Sequence, residues 1–102
     1  MAMEIPAELK SLASRLHSAD TPAEYFTYFL AALDEVNEYQ RKRGKGESYL
    51  VQVSWFPARV NPVEYYKLFE FMKNLHLVGL GFLCPTADQV MAWMKAGYIA
   101  GL

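Results

Sequence analysis

The side chains able to do covalent or acid–base chemistry are few, and their spacing limits them. Cys84 is the only cysteine, and His17 and His76 are the only histidines, in a chain of 102 residues. Cys84 stands just ahead of Thr86-Ala87-Asp88-Gln89, a capping box that opens a helix. A thiol beside a helix start has its pKa lowered by the dipole, but a cysteine nucleophile also needs a base. His76 begins the strand that leads to Cys84, which places the two over ~20 Å apart at ~3.3 Å per residue. His17 ends a different helix, where a favourable interaction with the dipole explains it. Cys84 therefore reads as a small buried hydrophobe. A single cysteine excludes an intramolecular disulfide and a dithiol cycle, and points to a reducing, cytoplasmic setting. The chain contains no HxxxH, CxxC or DxDxDG spacing, so neither a metal nor a cofactor is expected.

Non-covalent chemistry has three candidate places. The first is a small-anion site at the loops after two strands, built from Arg59, Asn61, Cys84 and Thr86. Helix N-termini at the carboxyl edge of a parallel sheet attract anions, although Asn61 and Thr86 are also ordinary caps. The second is the basic cluster Arg41, Lys42, Arg43 and Lys45, which could meet nucleic-acid phosphates. Glu35 and Glu38, one turn back, partly neutralise it. Gly44-Lys45-Gly46 lacks the upstream glycine and following Ser/Thr of a phosphate loop. The third is an aromatic stripe of Tyr25, Tyr28, Ala32 and Tyr39. Tyrosine is enriched at interfaces because it buries area and keeps a hydroxyl.

The elements that must position these residues follow from periodicity and caps. Pro6 to His17 reads as a short helix with Leu9, Leu12, Ala13 and Leu16 on a narrow stripe. Thr21 to Arg43 reads as one long helix, opened by Thr21-Pro22-Ala23-Glu24 and closed by cations before Gly44. Its core stripe is Phe26, Phe29, Leu30, Leu33 and Val36, and the tyrosine stripe lies beside it. The apolar arc is roughly 200° wide, against ~100° for one-sided packing. Ser48 to Phe56 alternates like a strand. Asn61-Pro62-Val63-Glu64 starts a helix running to about Asn74, with Tyr65, Leu68, Phe69, Met72 and Leu75 on its inner face. Leu77 to Leu83 reads as a second strand, bare on one side at Gly79 and Gly81. Thr86 to about Ala96 is the last helix, and Tyr98 to Leu102 is an apolar tail that packs down.

The fold class expected is α/β or α+β, a single domain over 1–102 in the order α-α-β-α-β-α. It has four helices and a small two-stranded sheet; the helix-containing crossover is long enough for a parallel, right-handed unit, and an antiparallel pairing stays open. Such a sheet is marginal alone, so the helices cover it or a dimer extends it. Net charge is −1 from 10 Lys+Arg and 11 Asp+Glu, which lacks the basic excess of nucleic-acid binders. No signal peptide or membrane span is expected. Hydrophobic residues at 53% and aromatics at 15% give a dense core with apolar surface left for a partner. The leading expectation is a non-enzymatic protein-binding module, a small regulator or inhibitor, meeting another protein or itself. A small anion binder or small enzyme comes second, and a weak nucleic-acid binder third.

Overall fold

Thr21 caps its helix as the sequence indicates: its side-chain oxygen accepts the Glu24 N–H at 3.0 Å, and Pro22 occupies the first helical position. The computed structural model describes residues 4–57 and 62–101. Over them the chain forms α1 (Lys10–His17), α2 (Pro22–Ala31), α3 (Leu33–Lys42), β1 (Val63–Glu64), α4 (Tyr65–Leu77), α5 (Ala87–Lys95) and β2 (Ile99–Ala100), joined by four short 3-10 turns. This is a small α+β fold with a two-stranded parallel sheet. Val63 aligns with Ile99 and Glu64 with Ala100.

The long helix expected over Thr21–Arg43 is two helices. Ala32 has φ −104 and ψ 11, and its N–H is shared between the Tyr28 and Phe29 carbonyls at 3.2 and 3.1 Å. A bifurcated bond of this kind tightens a last turn. Neither proline nor glycine marks the break. The two arms serve different neighbours. Tyr25, Phe26 and Phe29 of α2 enter an aromatic cluster with Phe56, Phe71 and Trp93, with ring centroids 5.1 to 6.3 Å apart. Most of these rings meet edge to face, the favoured geometry. From α3, Val36 and Gln40 are fully buried.

The stretch Ser48–Phe56 is not a strand. It holds 3-10 turns at Glu47–Tyr49 and Val53–Trp55 with extended backbone at Leu50 and Gln52. The burial does not alternate either: the adjacent Leu50 and Val51 are both buried, while Tyr49 and Val53, on the same expected face as Val51, are exposed. Its backbone hydrogen bonds are local within the two turns, except at Tyr49 and Val51, where side chains of α3 take the place of a neighbouring strand. Asn37 donates from Nδ2 to the Val51 carbonyl at 2.9 Å and accepts the Val51 N–H on Oδ1 at 2.8 Å. Gln40 donates from Nε2 to the carbonyls of Tyr49 and Val78 at 3.2 and 2.8 Å. Two carboxamides thus do the work of a partner strand.

Leu77–Leu83 is not a strand either. Helix α4 runs through Leu77 and ends at Gly79, whose φ of +79 suits glycine. The Leu80 N–H returns to the Leu75 carbonyl at 2.8 Å and the Gly79 N–H to the His76 carbonyl at 3.1 Å, a glycine-terminated helix end. Gly81–Leu83 is a 3-10 turn. The Asn61 cap lies outside the described residues, and α4 begins at Tyr65. The residues ahead of it, Val63 and Glu64, supply β1. Of the apolar tail, Ile99 packs down: it is buried and pairs in β2, and the Val63 N–H donates to the Tyr98 carbonyl at 2.8 Å, while Leu102 lies outside the described residues.

The last helix matches expectation most closely. In the capping box of α5, the Thr86 side chain accepts the Gln89 N–H at 3.1 Å, and Gln89 Oε1 accepts the Thr86 N–H at 3.2 Å. Gln89 also donates from Nε2 to the carbonyls of Leu16 and Ala19 at 2.6 and 3.0 Å. Trp93 adds its indole N–H to Ala19 at 3.4 Å. The end of α1 is therefore fastened to α5 across more than seventy residues of sequence.

Candidate functional site

The chemistry-bearing residues are held in ways that quiet them. Cys84 is buried, and its Sγ donates to the Met72 carbonyl at 3.6 Å. Burial pushes its thiol up to about 12, the opposite of what a nucleophile needs. His17 reaches the same residue, but at its backbone: Nε2 lies 3.0 Å from the Cys84 carbonyl. That contact braces the turn before α5 and leaves the thiol without a base. His76 belongs to α4, not to a strand, and its ring occupies the space a side chain at Gly81 would need. Among the described residues, no three His, Cys, Asp or Glu side chains come together to hold a metal ion.

The anion site expected after the strands loses its frame, because neither segment is a strand. Thr86 serves as the cap of α5 and Cys84 lines the core. Arg59 and Asn61 lie outside the described residues. In the basic cluster, three of the four cations are engaged by their own chain. Arg41 pairs with Glu38 at 3.7 Å. Arg43 lies over the Tyr39 ring at 5.2 Å, and Lys45 over Tyr49 at 4.9 Å. Lys42 is exposed.

The tyrosine stripe is redistributed. Tyr25 is fully enclosed, and its hydroxyl donates to the Leu83 carbonyl. Burial, with Cys84 nearby, lifts its pKa well above the ordinary value. It is a core residue, which corrects its assignment to a contact face. Tyr28, Ala32 and Tyr39 are half-buried against the core. Tyr28 donates to Glu24 Oε1 at 3.1 Å with the Arg15 guanidinium 5.7 Å from its ring centroid. Tyr39 stacks edge-on to Phe82 at 6.5 Å. The surplus apolar arc of α2 and α3 is thus covered in full only at Tyr25, and in part at Tyr28, Ala32 and Tyr39.

Among the described residues, exposed large apolar side chains occur at Tyr49, Val53 and Met91 too, but it is on α4 that they are grouped. Leu68, Phe71 and Leu75 are buried, so the inner face sits a rotation away from the one expected. Tyr65 and Phe69, assigned to the inside, are exposed. At about 100° per residue, Tyr65, His76, Phe69, Lys73, Tyr66 and Leu77 succeed one another around roughly 120° of the helix, and all six are exposed. Tyr65, Tyr66, Phe69 and Leu77 keep 36%, 62%, 55% and 68% of their surface in solvent. The Tyr66 hydroxyl holds the Glu64 carboxyl below the usual value, with Lys67 Nζ 3.5 Å away adding to the effect. Beside this face runs an open groove of about 300 Å³, with Trp55 and Phe56 on one bank and Tyr66 and Glu70 on the other. Sequence reasoning missed the face because α4 is apolar nearly all round, and only the buried positions of the fold separate inside from outside.

Among the described residues no helix is long and apolar enough to cross a membrane. No protein-family model, curated protein or solved structure matches this chain.

Proposed function

We propose that this chain is a non-enzymatic protein-binding module, a small cytoplasmic regulator or inhibitor, that meets its partner on the outer face of α4. One observation carries the reading: Tyr65, Tyr66, Phe69 and Leu77 stand exposed on one helix face. Single exposed apolar residues are ordinary, but several grouped on one element mark a contact surface. Aromatic side chains at the centre of such a surface supply most of its binding energy. The reading keeps the class of function expected from composition and moves its location from the tyrosines of α2 and α3 to α4.

The test is capture of polypeptides from the native cell extract by tagged wild type and by a Phe69→Glu, Leu77→Glu variant. Both positions are exposed, so the variant should keep the wild-type circular dichroism and melting curve. Loss of two anchors of this kind is expected to weaken capture by about thirtyfold or more. An equal set of captured polypeptides at equal yield would remove the face from the account.

A further inference from the structure

We infer that the partner seated on the outer face of α4 is a second copy of this chain, with its α4 antiparallel to the first. The inference rests on the protein-contact reading above. The charge arrangement carries it. Lys73 stands inside the apolar arc, between Phe69 and Tyr66 around the helix, and Glu70 stands at the Leu77 edge; both are exposed. The ion pairs among the described residues, Arg41–Glu38 and Lys67–Glu64, involve neither of them. A lysine inside an apolar contact is unfavourable unless it is paired or its stem covers an aromatic ring.

Glu70 and Lys73 straddle the middle of Tyr65–Leu77. Two copies crossed antiparallel about that point bring each Glu70 opposite Lys73 of the other copy, twice by symmetry. The same register brings Tyr66 toward Leu77 of the second copy, and Phe69 against the Lys73 stem. A parallel register would set glutamate on glutamate and lysine on lysine, which disfavours it. The face is its own complement only in the antiparallel sense.

Area agrees with a reversible dimer. Large aromatic side chains offer about 150–250 Å² each. At the exposed fractions of Tyr65, Tyr66, Phe69 and Leu77, these four present on the order of 400–500 Å² per copy. Two copies then bury roughly 800–1,000 Å² in all, within the small class of weak, transient interfaces below ~1,200 Å².

Sedimentation velocity over about 1 μM to 1 mM tests the inference. Wild type is expected to pass from monomer to dimer. Glu70→Lys alone and Lys73→Glu alone each turn two opposite-charge contacts into two like-charge ones, and each should weaken association on the order of tenfold. An equimolar mixture of the two single variants restores both contacts in a mixed dimer and should regain near wild-type association. A wild type that stays monomeric throughout, or a mixture no stronger than the variants alone, overturns the inference. A strict monomer whose extract capture still depends on Phe69 and Leu77 would leave the contact reading intact with a different protein as partner. If capture is also insensitive to those positions, both fall.

Discussion

Replacing Gln89 with leucine should be among the most damaging single changes in this fold, although it keeps the side-chain volume nearly constant. Gln89 is only 8% exposed. Its carboxamide makes three hydrogen bonds, to the carbonyls of Leu16 and Ala19 and to the Thr86 N–H. At about 1 kcal/mol net each, their loss amounts to ~3 kcal/mol. The Ala19 carbonyl keeps the Trp93 indole N–H, and the Leu16 carbonyl keeps the Ala19 N–H at 3.3 Å. The further penalty of stranding an acceptor is therefore limited, and a loss of about 2–3 kcal/mol is expected. For a domain of this size that lowers the melting temperature by roughly 10–20 °C. With a urea m-value of about 1–3 kcal/mol/M, the unfolding midpoint falls by roughly 1–2 M. Tryptophan fluorescence is a suitable probe, because Trp93 sits in the core 5.8 Å from the Tyr25 ring. A loss below about 0.5 kcal/mol, the range of ordinary surface substitutions, would refute the claim that this side chain ties α1 to α5.

Three other outcomes can be checked in the same way. Asn37→Ala removes both hydrogen bonds to the buried Val51 backbone, and should lower stability by about 2 kcal/mol and speed amide exchange at Val51. Gly79→Ala meets open space but keeps a φ of +79, so backbone strain of about 1 kcal/mol should appear in urea unfolding with no change in packing. The Cys84 thiol titrates at about 12 in the fold against an ordinary 9.0. A folded value above the unfolded one means stability is intact below pH 9 and declines as pH rises toward 12. Iodoacetamide at pH 8 should accordingly label folded protein far more slowly than protein in urea.

The parts legible in the sequence were those set by local chemistry. Thr21 with Pro22, and Thr86 with Gln89, announce helix starts because a cap needs only residues three positions apart. The burial of Ile99 follows from its apolar character, whereas the α+β class agrees with the fold although the two strands that suggested it are not the two that form. The strands are misplaced for a physical reason: alternation of residue types reports neither the burial, which falls on the adjacent Leu50 and Val51, nor what pairs with the backbone. Around Val51 that pairing comes from Asn37 and Gln40, a long-range arrangement no local pattern encodes. By spacing Gly79 resembles a bare strand position, although it is a helix terminator after a long apolar run. The true strands are two residues each and join Val63 to Ile99, too short to leave a periodic signal. The candidate site suffered from the same limit. A wide apolar arc shows that a helix needs cover on more than one side without showing whether the cover is internal. For Tyr25 it is internal, whereas Phe69 is left in solvent.

The most direct test of the α4 contact is a photo-crosslinking residue placed at position 69, with one at the exposed Ser11 of α1 as reference, irradiated in the native cell extract. The account predicts a discrete cross-linked polypeptide from position 69, at the mass of a second copy of this chain, and none from position 11. Equal or absent cross-linking at the two positions would contradict it.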